Sequence, residues 1–271
     1  MPFLRLCSKP CDAHIAVTRE TIISVRNLTT SNEGRILHEH LSFDVYRGEV
    51  FMVVGASGCG KSTLLRHLIG LQTPLAGSVI IDGEELTNAT PDAQARIARK
   101  YGVLFQSGAL LGSLTLAENI EMVLDEYTTL TPADKQLLAR IKLSLVGLDG
   151  FENYLPSEIS GGMKKRAGLA RALALDPPLL FFDEPGAGLD PISSAALDRL
   201  IVQLNTSLGA TMVIVTHELA SIFAVGQRVI MLDHAGRGIL AEGCPTALRD
   251  TSPHPVVRAF FNRERIVSTS R

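Results

Sequence analysis

An α/β fold with a mostly parallel, two-sided sheet is the class this sequence predicts, and three patterns predict it. Short apolar runs of strand length, residues 51–55, 179–182 and 212–215, are each bounded by Gly, Pro, Asp or His, as buried parallel strands are. Segments of helical period, 61–69, 161–173 and 193–208, alternate with them, and such alternation implies crossovers that place helices on both faces. One strand also runs directly into a Gly-rich loop that opens a helix, at residues 51–63.

Taken in order, residues 21–28 (TIISVRNL) and 41–54 (LSFDVYRGEVFMVV) read as strand-rich, with Arg47-Gly48 as a turn inside the second stretch. The expected fold opens with an N-terminal antiparallel β part. A helix over 61–69 follows the Gly-rich loop, then a strand over 78–82 that ends at Gly83, and another over 101–105. From 115 to 147 the pattern is helical, with Thr131 as a cap and Pro132 at a helix start; this reads as an inserted helical subdomain. After Ser160 a helix of about four turns leads through Asp176-Pro177-Pro178 into the strand at 179–182. The rest alternates: helix 193–208, strand 211–216, short helix 218–225, strand 227–232. The expected organisation is an N-terminal extension (1–20), one domain (21–250) whose helical subdomain occupies about 107–175, and a C-terminal tail (251–271).

Composition narrows the partners. With 26 Lys+Arg against 28 Asp+Glu, the 271-residue chain has a net charge of −2, without the basic field of a dedicated nucleic-acid binder. At 46% hydrophobic residues it can bury a sizeable core. Gly and Pro are too scattered for low complexity, and no fixed-period repeat is visible. Mean hydropathy is +0.20, yet no uncharged apolar run approaches the roughly 18–20 residues that span a bilayer. The first residues, MPFLRLCSKPCDA, lack the apolar stretch of a secretory signal, so an intracellular protein is expected. The four cysteines, Cys7, Cys11, Cys59 and Cys244, form no CxxC pair; incidental thiols in a reduced compartment fit better than a metal site.

Three segments carry chemistry. Gly55-Ala56-Ser57-Gly58-Cys59-Gly60-Lys61-Ser62-Thr63 fits G-x-x-x-x-G-K-[ST] between a strand and a helix. Its glycines let consecutive N–H groups and the helix N-terminus face phosphate oxygens, while Lys61 reaches the β/γ-phosphates and Ser62 ligates Mg²⁺. The strand 179–182 ends in Asp183-Glu184, two carboxylates at the carboxyl edge of the sheet where ligands gather. Asp183 can hold Mg²⁺ through water and Glu184 can polarise the attacking water; alone, the pair would read equally as a solvated turn. Ser160-Gly161-Gly162 opens a helix and makes a second phosphate-binding N-terminus, redundant within one chain, which suggests two subunits. In isolation it also reads as a Gly-Gly helix entry capped by Ser160.

The order and spacing of Gly55 to Thr63, Gln106, Ser160-Gly161-Gly162, Asp183-Glu184, Gly188-Leu189-Asp190 and His217 resemble the ATP-binding cassette (ABC) family over about residues 20–250. The resemblance implies a P-loop ATPase domain with a RecA-like core, ATP and Mg²⁺ as ligands, and two cassettes packed head to tail, so that the P-loop of one and the Ser-Gly-Gly helix of the other close over each ATP. It also implies that Gln106 contacts Mg²⁺ or the attacking water, that Asp190 communicates across the dimer interface, and that His217 contacts the γ-phosphate. Taken alone, Gln106 and Asp190-Pro191 read as turn residues and His217 as structural. Two departures stand out. The segment 29–37 (TTSNEGRIL) has no aromatic residue where the family carries one to stack on adenine, and Ile159 and Met163 replace the family's usual Leu and Gln.

Phe105-Gln106-Ser107-Gly108-Ala109-Leu110, Gly161-Gly162-Met163-Lys164-Lys165-Arg166 and the tail Val257-Arg258-Ala259-Phe260-Phe261-Asn262 are similar to the lipid-transport cassettes of Mla/Mce systems. That resemblance implies a peripheral protein on the cytoplasmic face of a bacterial inner membrane. Its expected partners are a second copy of itself, a permease dimer, an Mce-type periplasmic lipid-binding protein and a small cytoplasmic accessory subunit, with no nucleic acid. The residues after Gln106 (Ala109, Leu110, Leu111, Leu114) read either as a seat for a permease helix or as ordinary core. Phe260-Phe261 reads either as a docking element or as packing back onto its own domain. The competing function is a soluble, non-transport cassette such as an iron–sulfur assembly ATPase.

Overall fold

The structure, a computed structural model, describes residues 19–233 and 235–264. Cys7, Cys11, most of the N-terminal extension and residues 265–271 lie outside them.

Two sheets form the frame. The first holds β1 (Thr21–Asn32), β2 (Arg35–Tyr46), β4 (Ala76–Ile81) and β5 (Glu84–Glu85) in the order β2-β1-β4-β5, antiparallel throughout. Its first two strands make one long hairpin about Glu33-Gly34, with φ of 49° and 79° at those residues, the doubly left-handed turn that matches strand twist. β1 thus runs four residues beyond the strand expected over 21–28, and β2 begins six residues before the one expected from 41, because Glu-Gly is a weaker turn signal than Asn-Gly.

The second sheet runs β10-β9-β3-β8-β7-β6, from β3 (Val50–Val54), β6 (Tyr101–Leu104), β7 (Leu179–Asp183), β8 (Thr211–Val215), β9 (Arg228–Leu232) and β10 (Ile239–Gly243). Five strands are parallel and β10 pairs antiparallel at one edge. β3, β7 and β8 are buried at every position, which explains their unbroken apolar runs: both faces are covered. Met52, Leu180, Phe182, Met212 and Ile214 face one core. Phe51, Leu179, Phe181, Val213 and Val215 face the other, shared with the antiparallel sheet, as period-2 alternation requires.

Helix α1 (Lys61–Leu68) joins the second of these cores. On the other face lie α3 (Leu116–Tyr127), α4 (Pro132–Leu145), α5 (Gly161–Ala172), α6 (Pro191–Leu208) and α7 (Leu219–Val225). Thr131 caps α4 with Pro132 as its first residue, as the spacing predicts, and a capping box of Thr115 and Glu118 starts α3. Helix α2 (Pro91–Ala98), capped by Thr90, was not expected from the sequence.

Two short helices close the described part of the chain: α8 (Pro245–Thr251), at the end of the expected domain, and α9 (Pro255–Asn262), in the tail. Val257 and Phe261 are buried, and Phe261 packs edge-on against Phe223 of α7 with ring centroids 5.9 Å apart. Of the two readings of Phe260-Phe261, packing back onto the domain is the one observed. Among the described residues no helix is long and apolar enough to cross a membrane.

Candidate active site

Four parallel strands end at one edge of the sheet, and each is followed by a segment singled out in the sequence. The loop 55–60 follows β3, Gln106 comes shortly after β6, Asp183-Glu184 closes β7, and His217 lies just beyond β8. Strand order rather than chain order makes them neighbours.

The loop's conformation depends on its glycines. Gly58 and Gly60 have φ of 79° and 92°, and a Cβ on Gly60 would stand 2.6 Å from the His38 ring, so only glycine fits there. Lys61 is buried, and its Nζ donates to the carbonyls of Gly55 (3.0 Å) and Ala56 (3.1 Å), which curl the loop around the ammonium. Cys59 and Thr63 are buried, whereas Ser57 and Gly58 are exposed.

Ser62 Oγ donates to Asp183 Oδ1 at 2.7 Å, across 121 residues of sequence. A hydroxyl beside a carboxylate is a set of hard oxygen donors suited to Mg²⁺, which takes few protein ligands and leaves room for water and phosphate. Among the described residues no cluster of three or more His, Cys, Asp or Glu could hold a metal.

Glu184 has φ of 47°, a left-handed conformation uncommon outside glycine that often marks functional sites. Its N–H donates to Val215 O at 2.9 Å, and Lys165 Nζ donates to its carbonyl at 3.3 Å. Glu184 Oε1 accepts from His217 Nδ1 at 2.8 Å and lies 4.0 Å from Lys61 Nζ, while Oε2 is buried without a partner among the described residues. Because a carboxylate accepts, the His217 proton sits on Nδ1 and Nε2 is left for another ligand. Lys165 was not assigned a role in the sequence reading; burial pushes its ammonium pKa below the ordinary value.

The remaining predicted residues form a second group. Ser160 caps α5 by accepting from the Met163 N–H at 3.3 Å. Asp190 caps α6 through Oδ1, which accepts from the N–H groups of Ile192 and Ser193, both at 3.0 Å; bonds from Ser193 hold its carboxyl below the usual carboxylate range. The two helix starts meet, since a Cβ on Gly162 would lie 3.5 Å from Ser193 and one on Gly161 3.9 Å from Leu189. Ser160, Gly161 and Asp190 are exposed. Neither cap bonds to the loop 55–63, so the structure gathers the predicted residues into two clusters rather than one.

Residues 38–187 match the family described as ABC transporter. The chain belongs to that family. ABC cassettes similar to it include the "Probable ribonucleotide transport ATP-binding protein mkl" of Mycobacterium leprae, 43% identical over 244 residues, covering 90% of this chain and 70% of that one. The "Intermembrane phospholipid transport system ATP-binding protein MlaF" of Escherichia coli K12 is 36% identical over 241 residues, covering 89% and 88%. Among solved structures, the dimeric post-hydrolysis ATP-binding cassette MJ0796 bound to ADP and Pi superposes with a TM-score of 0.75 at 29% identity, covering 82% of this chain and 98% of that one. This chain is thus the ATP-hydrolysing subunit of an ABC transporter, with the family's α/β cassette fold, ATP as its nucleotide and Mg²⁺ as the ion typical of such ATPases.

Proposed function

We propose that this cassette powers lipid transport, with phospholipid as the cargo class, from the cytoplasmic face of a bacterial inner membrane. For the chemistry, the reading rests on the Lys61–Glu184–His217 arrangement beside the Ser62–Asp183 pair. The amides of Gly55, Ser57, Gly58, Cys59, Gly60 and Thr63 cradle the phosphates, and Lys61 neutralises them. Ser62, Asp183 and Gln106 would hold Mg²⁺, which would supply neutralisation of phosphate charge. Glu184 takes the proton of the attacking water through its unpartnered Oε2, and His217, held at Oε1 by its Nδ1–H, donates from Nε2–H to the γ-phosphate when its ring carries both protons. The expected domain bounds, 21–250 with a helical subdomain at about 107–175, belong to this same reading.

Ser160, Gly161 and Gly162 serve the partner's ATP, and Asp190 beside them transmits its state across a head-to-tail dimer. The exposure of Ser160, Gly161 and Asp190, the absence of bonds from either cap to this chain's own loop among the described residues, and the dimeric state of the MJ0796 cassette support that role. Further partners are a permease dimer, an Mce-type lipid-binding protein and a small cytoplasmic accessory subunit. Likeness to MlaF, whose name specifies phospholipid transport, supports the cargo. The mkl name specifies ribonucleotide transport instead, and that is the second reading.

Affinity purification of Glu184→Gln from solubilised membranes with ATP, followed by mass spectrometry, separates the two. A permease, an Mce-type protein and bound phospholipid are the expected recovery. A permease without Mce-type protein or lipid, in a complex that moves ribonucleotides into vesicles, would overturn the lipid assignment.

A further inference from the structure

The antiparallel sheet contributes two fully buried polar side chains that reach the P-loop and that the chemistry above does not use. His38 on β2 and Thr30 on β1 are both 0% exposed. Thr30 Oγ1 lies 2.7 Å from His38 Nδ1, and His38 Nε2 lies 2.8 Å from the Cys59 carbonyl oxygen. A carbonyl only accepts, so Nε2 carries the proton. Burial pushes the His38 pKa below its ordinary value and keeps the ring neutral. Nδ1 therefore accepts, and the Thr30 hydroxyl donates to it.

We propose that Thr30 and His38 are positioning residues for nucleotide binding, a buried strut through which the antiparallel sheet sets the orientation of the Cys59–Gly60 peptide in the P-loop. That peptide is planar and trans, so its C=O and the Gly60 N–H point in opposite directions. Holding the carbonyl towards His38 aims the Gly60 N–H away from the sheet, and among the described residues that amide donates no backbone hydrogen bond outside regular elements. Gly60 Cα packs so closely on the imidazole that a Cβ would stand 2.6 Å from Cε1, so ring and loop cannot shift independently. Without the strut the loop has more than one peptide orientation available, and phosphate binding must select one, which lowers affinity by the fraction competent. The inference rests on the assignment of residues 55–63 to the triphosphate.

The test measures Kd for Mg-ATP and Mg-ADP, kcat, KM and Tm on the full chain carrying His38→Leu, His38→Gln, Thr30→Val or Lys61→Ala. Loss of one buried hydrogen bond corresponds to about a tenfold change in affinity. His38→Leu is expected to raise Kd and KM about tenfold with kcat at saturation nearly unchanged, and Thr30→Val to raise them about threefold. His38→Gln, whose amide N–H can reach the Cys59 carbonyl, is expected to recover most of the affinity. A merely structural role would lower Tm alone, and native Kd in folded His38→Leu would overturn the proposal. Should His38→Leu fail to fold, native Kd in Thr30→Val together with no dependence on donor capacity at position 38 would do the same. Native affinity in Lys61→Ala would remove the triphosphate assignment and the strut with it, whereas loss in Lys61→Ala beside native His38→Leu would remove the strut alone.

Discussion

Replacing Glu184 with Gln is the sharpest test of the chemistry, because it changes charge and basicity with almost no change in shape. Gln keeps an acceptor for the His217 Nδ1–H that now bonds at 2.8 Å. Its amide nitrogen replaces the buried Oε2, which already lacks a partner, so one unsatisfied buried atom is exchanged for another and Tm should move by only a few degrees. What disappears is the proton acceptor. General-base catalysis contributes about 10²–10⁴-fold, and even the lower bound adds about 2.7 kcal/mol to the barrier. Single-turnover hydrolysis should therefore slow at least about 100-fold. ATP affinity should hold or improve, since the carboxylate removed lies 4.0 Å from the Lys61 ammonium that meets the phosphates. Hydrolysis within about threefold of native in a variant that binds ATP and melts normally would refute the assignment of Glu184 as base.

Three other perturbations probe separate parts of the molecule. Ser62→Ala removes the hydroxyl bonded to Asp183 at 2.7 Å and should raise the Mg²⁺ concentration for half-maximal activity about tenfold or more; an unchanged Mg²⁺ titration would count against that site. Phe261→Ala empties a buried aromatic position against Phe223 and should cost about 3–5 kcal/mol in chemical denaturation, whereas a cost below about 1 kcal/mol would mean that the tail does not hold the core. Burial lowers the pKa of both His38 and His67 from 6.5. The unfolded chain then binds protons that the native state resists, so stability is full above 6.5 and falls as pH drops towards the native pKa values, by up to about 1.4 kcal/mol per pH unit for each histidine. Urea unfolding at pH 7.5 and 5.5 should show that loss, and His67→Gln should shallow it; an unaltered slope in the variant would exclude His67 as a source.

Much of the candidate site was legible because its chemistry is local. The P-loop signature is contiguous from Gly55 to Thr63, Asp183-Glu184 closes an apolar run, and Ser160 caps the helix it precedes. The cap at Thr131 depends on a bond spanning three residues, so it too shows in the sequence, whereas Asp190, which alone reads as a turn residue, proves to cap α6. Less legible were β10, α2, α8 and α9, which are only five to eight residues long and partly exposed, and the Glu33-Gly34 hairpin, whose two left-handed residues include a non-glycine. Lys165 carries no local signal of its own, and only the fold shows that it is buried against the Glu184 carbonyl.

The sequence alone carries the class of fold, through the alternation of strand-length and helical segments, and it marks the candidate phosphate-binding loop and the two strand-end carboxylates, each contained within one turn or one strand. The tertiary structure decided which segments meet. Placing β3, β8, β7 and β6 side by side brings Ser62 to Asp183 and His217 to Glu184, sets Ser160 beside the start of α6, and lays the antiparallel sheet against the P-loop so that His38 reaches Cys59. Local pattern dictates which face of a strand is buried, but which strand lies beside it is settled by the packing of two cores at once, and no window of sequence contains that information.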